Sequence, residues 1–188
     1  RGGCYKCGSI DRERLIYLFL KEKLGIFNGE KNVRILHVAP EKNISEIMRK
    51  SGFKEYICGD LFAEGYTYPD YVRNMNVLNI PFSENSFDLV ICNHVFEHIP
   101  NDTDAMKEVF RVLKPGGKAM MQVPISLILK ETFEDHSIVS PEERIKHYGH
   151  FDHVRIYGQD YPDRLKSAGF LVNQFNISSE FIQYGIIP

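Results

Sequence analysis

The chain has 188 residues, 43% hydrophobic and 26% charged, enough for one substantial α/β core and short for two full domains. A formal net charge of -2 argues against a general polyanion or nucleic-acid binder, because such affinity rests on many Lys and Arg contacts to phosphates, and leaves room only for a local basic pocket. No apolar run approaches the roughly 20 residues that span a bilayer and nothing at the start resembles a signal peptide, so a soluble, cytoplasmic protein with no membrane partner is expected.

At the front, Cys4 and Cys7 form a C-x-x-C-G arrangement in which the glycine permits the tight turn that brings two thiolates onto one metal. This is half of a zinc site: the remaining ligands lie upstream in a longer chain or come from a histidine. An unmetallated pair and a redox pair are the alternatives, although no strand precedes Cys4 as a redox motif would require. Residues 1–9 are therefore read as a partial knuckle-like segment and 10–188 as the main domain. Cys58 and Cys92 fall in predicted buried strands, where free Cys behaves as a small hydrophobe.

From Asp11 to Leu24 the pattern is helical, with Leu15, Leu18 and Phe19 on one side and Gly25 at the end. Val33 to Val38 predicts the first strand, and Asn43 to Lys50 a helix with the apolar stripe Ile44, Ile47 and Met48. Glu55 to Gly59 reads as a second strand ending on Asp60, where an acid can accept hydrogen bonds from both hydroxyls of a ribose. Residues 61–73 hold four aromatics with Gly65 and Pro69 and read as a loop.

The densest signal is NVLNIPFSENSFDLVICNHVFEHIPNDTDAMKEVFRVLKPGG, residues 76–117. Phe87 to Cys92 is almost wholly apolar, as a parallel strand covered on both faces should be. Asn93, His94, Glu97 and His98 follow at its carboxyl end, where open α/β sheets place ligand crevices. Next comes a helix with Asn101 or Asp102 as N-cap and Met106, Val109, Phe110 and Leu113 as its buried stripe. Pro115, Gly116 and Gly117 stop it before a strand from Lys118 to Val123.

This ordered pattern resembles the class I S-adenosylmethionine-dependent methyltransferases, in the type 11-like branch whose sequences read LPF, FD, a strand, LEH and RVLKPGG. The resemblance implies an α/β fold, a three-layer, doubly wound, Rossmann-like sheet that is mainly parallel. It also implies an enzyme that uses S-adenosylmethionine. CYKCGSIDRER is further similar to a subgroup in which a zinc ribbon precedes the methyltransferase, which implies structural zinc in a longer chain.

Carried onto this sequence, the resemblance makes His37 to Lys42 the cofactor loop. The family's D-x-G-x-G is replaced by His37, Ala39 and Glu41, a departure. Either Ala39 is small enough for close approach and Glu41 supplies a carboxylate, or the site has decayed and the fold serves as a noncatalytic binding module using the knuckle and lid. Asn76 stands where the family carries an adenine-binding Asp and keeps a carbonyl acceptor, with Val77 as the backbone neighbour at the adenine edge. Asn93 would line the floor beside the sulfonium. His94 is a candidate base, with His153 a weaker catalytic candidate.

Residues 124–161 leave the family pattern and read as a lid, in which Asp152, His153, Arg155 and Tyr161 are expected to meet an unidentified small-molecule or protein acceptor. His147, His150 and His153 recur every third residue, but Gly149 interrupts a helical metal site, so metal is not the favoured reading there. Asp163 to Ala168 predicts a helix and Phe170 to Ile177 a strand. A final strand is expected from the last residues or from residues beyond Pro188.

Overall fold

The computed structural model describes residues 3–6 and 8–175. Five parallel strands form one sheet in the order β3-β2-β1-β4-β5: β1 (Arg34–Val38), β2 (Glu55–Asp60), β3 (Val72–Asn74), β4 (Phe87–Cys92) and β5 (Leu113–Met120). Alternation along the two central strands builds two cores. Ile35, Leu89 and Ile91 pack with Ile16 and Leu20 of the first helical segment and with Ile44 and Met48 of α2 (Lys42–Arg49). Leu36, Val38, Val90 and Cys92 pack on the other face with α3 (Asp102–Val112) and with Leu165 and Ala168 at the last helix. The apolar run FDLVIC thus serves both faces, as a doubly covered parallel strand must.

Several boundaries differ from expectation. α1 (Asp11–Leu18) runs into a wider π-helical turn, Phe19–Lys23, and its buried face is Ile16 and Leu20 rather than Leu15 and Phe19. Glu13 is buried too, because its carboxylate accepts from the Ile10 N–H and from both the backbone and side-chain N–H groups of Asn43. In α3 the buried stripe is Ala105, Met106, Val109 and Val112, while Phe110 is half-exposed and stacks edge-on against Phe170. Asn101 occupies the N-cap without a side-chain cap bond. β5 begins at Leu113, and a Cβ on Gly117 would come within 2.9 Å of the Lys114 carbonyl oxygen, so only glycine lets the chain turn there. β3 overlaps the end of the stretch read as loop: Val72 continues the core beside Cys58, although three residues give too little pattern to announce a strand.

The 124–161 segment is ordered by its own small hairpin, β6 (Phe133–Glu134) against β7 (Arg155–Ile156), and by α4 (Pro141–Tyr148). Ser140 caps α4 by accepting the Glu143 N–H, and Gly149 ends it in the left-handed region. α5 (Tyr161–Ser167) then returns to the sheet. The strand expected at 170–177 is not formed over 170–175; its last two residues, and the expected final strand, lie outside the described residues. Among the described residues, no helix is long and apolar enough to cross a membrane.

Candidate cofactor crevice and acceptor site

The strand order reverses between β1 and β4, the switch point where open α/β sheets bind ligands at their carboxyl ends. Register places three of the sequence candidates on that edge. Val38 pairs with Gly59 on one side and with Cys92 on the other, so Ala39, Asp60 and Asn93 are the next residues along three adjacent strands. Ala39 adopts a φ of 49°, the left-handed conformation that glycine normally supplies, and donates its N–H to the Gly59 carbonyl at 2.8 Å. The first glycine of the D-x-G-x-G pattern is thus replaced by an alanine held in a glycine conformation. Asp60 is half-buried; burial pushes its carboxyl up, opposed in part by the Leu61 N–H it accepts.

His37 and Glu41 behave differently from their expected roles. His37 is fully buried, with Nδ1 2.7 Å from the Tyr56 hydroxyl and Nε2 3.0 Å from Glu41 Oε2. Both ring nitrogens are engaged, so His37 positions the loop and does not line the crevice. Glu41 folds inward onto that histidine. Burial pushes its carboxyl up, but the His37 hydrogen bond and charge outweigh this and hold it below the usual carboxylate range. Asn76 is exposed, and its Oδ1 already accepts the Leu78 N–H at 2.9 Å, which leaves one lone pair. The Val77 side chain is core, so only its backbone could meet a ligand.

The carboxyl ends of β4 and β5 carry the most informative chemistry. Among the described residues, the buried side-chain atoms without a hydrogen-bond partner are Asn93 Nδ2, His94 Nε2, Glu97 Oε2, His98 Nδ1, Gln122 Oε1 and Tyr161 OH. Buried polar groups are nearly always bonded, and each exception needs a reason. Four of them, Asn93, His94, Gln122 and Tyr161, gather above β4, while Glu97 and His98 turn to His153 of the 124–161 segment. Gln122 donates its backbone N–H to Asn93 Oδ1 at 3.2 Å and accepts the His94 N–H at 2.7 Å. Burial raises the Tyr161 hydroxyl well above its usual range, and Cys92 and Glu97 beside it add to the effect. Together they offer both donors and acceptors to a polar ligand above β4.

His94 also has a left-handed backbone, with a φ of 54°. Its Nδ1 lies 3.3 Å from Glu97 Oε1, which leaves Nε2 for a ligand. His153 sits elsewhere, against His98 with ring centroids 4.8 Å apart. Burial lowers its pKa, helped by the charge of His98. Arg155 is not an acceptor contact: it is buried and donates to the carbonyls of Phe96, Ile99 and Pro100 and to the Glu134 carboxylate. Gln122 escaped sequence reading: it falls inside the strand expected from Lys118 to Val123, whereas β5 ends at Met120 and leaves Gln122 two residues beyond it. Cys4 is free, with its carbonyl accepting the Gly8 N–H, and Cys7 lies outside the described residues.

Comparison with known proteins agrees with this geometry. Residues 43–121 match the family described as a methyltransferase domain. An S-adenosylmethionine-dependent methyltransferase from Mesorhizobium loti superposes with a TM-score of 0.55 at 16% identity, over 82% of this chain and 82% of that one. The fold is that of the class I methyltransferases. An uncharacterized protein of Methanocaldococcus jannaschii is 37% identical over 114 residues, 60% of this chain and 47% of its own length. A demethylmenaquinone methyltransferase of Lactococcus lactis is 37% identical over 113 residues, covering 53% and 45%. The chain spans just under half the length of these two curated relatives.

Proposed function

We propose that this methyltransferase fold catalyses S-adenosylmethionine-dependent methyl transfer to an acceptor bound between the carboxyl end of β4 and the 124–161 lid. The observation that carries this reading is the group of four unpartnered buried polar atoms at the carboxyl ends of β4 and β5, Asn93 Nδ2, His94 Nε2, Gln122 Oε1 and Tyr161 OH. Left bare, each such atom would cost about 1–3 kcal/mol, so a ligand that bonds them is the economical explanation.

The residues present fit the cofactor. When bound, S-adenosylmethionine supplies a methyl group on a positively charged sulfur, open to in-line displacement. Asp60 would accept from the ribose hydroxyls, the free lone pair of Asn76 and the Val77 backbone would meet the adenine edge, and the small Ala39 allows close backbone approach. Glu41, held by His37, shapes that loop from beneath. Asn93 Nδ2 would donate to a ligand oxygen, and Gln122 and Tyr161 would orient the acceptor. Glu97 aligns His94 so that Nε2 can take the proton of an acceptor O–H or N–H as the nucleophile attacks.

Incubation with methyl-tritiated S-adenosylmethionine and a cell extract, separated into small-molecule, lipid and protein pools, tests turnover. The wild type should label one pool and Asp60→Ala should not; no label in any pool, with S-adenosylhomocysteine still bound, would refute transfer. The acceptor is expected to be a small molecule or a protein, and the setting the cytoplasm. The tight turn at Cys4 supports reading Cys4 and Cys7 as half of a zinc knuckle. Metal analysis of a chain extended upstream checks that reading.

A further inference from the structure

Where the lid meets the turn after β4, five metal-ligand side chains converge. Glu97, His98 and His153 each bring a ligand atom within 4.8 Å of the other two, and His150, Asp152 and His153 do the same. His98 Nδ1 lies 3.1 Å from Asp152 Oδ1 without hydrogen-bond alignment, and His150 pairs with the same carboxylate. The His150 and His153 rings stand 4.8 Å apart. We propose that His98 and His153, with Glu97 and Asp152 and with His150 at the rim, form a binding site for one divalent transition-metal ion of the zinc class.

Four features support it. Ligands at about 2.0–2.1 Å from a tetrahedral zinc lie about 3.3–3.4 Å from one another. The His98 and Asp152 pair stands near that spacing at 3.1 Å, and within each of the two groups the ligand atoms lie within 4.8 Å of one another. The two contributing segments are fixed by the Val154 N–H donating to the Glu97 carbonyl at 2.9 Å, so the ligand atoms start close together. Glu97 is 2% exposed and its Oε2 has no protein donor, a costly state that a cation removes. Finally, a set rich in imidazole suits zinc, cobalt, nickel or copper rather than magnesium or calcium. Sequence spacing could not show this site, since residues 97–98 and 150–153 meet only in the fold. A bound ion would clamp the lid onto the β4 turn, and the site stands on its own geometry whether or not the chain transfers methyl groups.

Chelator-stripped protein titrated with Co²⁺ tests the proposal by calorimetry and visible absorption. One equivalent should bind and be displaced by Zn²⁺. His98→Gln and His153→Gln should each weaken binding at least tenfold, Asp152→Asn should weaken it too, and His136→Gln, His147→Gln and Cys4→Ser should bind as the wild type does. Circular dichroism confirms that each variant is folded. Absence of stoichiometric binding, binding unchanged in both His98→Gln and His153→Gln, or binding lost in Cys4→Ser would overturn it.

Discussion

Replacing Arg155 with alanine should unfasten the lid from the body of the protein. Its guanidinium is 1% exposed and donates to three carbonyls of the turn before α3, Phe96 at 2.8 Å, Ile99 at 2.5 Å and Pro100 at 2.8 Å, while Nε meets Glu134 Oε2 at 2.9 Å. Those carbonyls belong to the segment that carries Glu97 and His98. Asp102 keeps Arg164 and the Tyr157 hydroxyl, so the main loss is the three carbonyls and the Glu134 carboxylate. Removing one partner of such a buried charged network costs about 3–5 kcal/mol. At about 2–4 °C per kcal/mol for a chain of this size, the melting temperature should fall by roughly 6–20 °C. Urea unfolding of Arg155→Ala and Arg155→Lys gives the free energies, and limited proteolysis between residues 124 and 154 reports the lid directly. Lysine keeps the charge without the planar fork and should lie between. Destabilisation of Arg155→Ala by less than about 1 kcal/mol, with the lid still protected, would refute this role.

Ala39 pays for a left-handed backbone that costs a non-glycine residue about 1–2 kcal/mol, so Ala39→Gly should leave stability unchanged or raise it by up to about 1 kcal/mol, and Ala39→Val should lower it, both by urea unfolding. Asp102 is buried, which pushes its carboxyl up, but hydrogen bonds from Arg164 and Tyr157 and the nearby Arg charges outweigh this and hold it low. A depressed folded value means its stabilisation is present above the unfolded value near pH 4 and is lost as pH falls below it. Asp102→Asn should therefore be destabilised at pH 7, with a smaller difference from wild type at pH 3. His37→Phe would leave the buried Glu41 carboxylate unpaired, which should cost about 1–3 kcal/mol and weaken S-adenosylhomocysteine binding through the loop, as calorimetry would show.

Local pattern revealed the βαβ unit at residues 87–120 because the two-faced burial of FDLVIC and the stop at Pro115 to Gly117 are both written in neighbouring residues. The same holds for Asp60, whose position at a strand end follows from chain order. Contacts between distant segments were hidden. Arg155 looks like a surface lid residue until the turn at 96–100 is folded over it, and His98 and His153 meet only through the β7 crossing. Glu41 reads as a ligand group in sequence because a sequence cannot show which way a loop carboxylate turns, and in the fold it turns onto the buried His37. The stretch 170–175 has the composition of a strand, yet none of its residues pairs with β5. Composition alone does not create a partner edge.

Cofactor binding at the Ala39, Asp60 and Asn93 edge is tested most directly by titrating the chain with S-adenosylhomocysteine and following its melting temperature. A ligand that binds only the native state at a hundred times its Kd adds about 2.7 kcal/mol, which corresponds to roughly 5–10 °C here. The expected result is a saturable rise of that order for the wild type and little or none for Asp60→Ala. No shift at millimolar ligand, or an equal shift in Asp60→Ala, would contradict the placement of the cofactor at this edge.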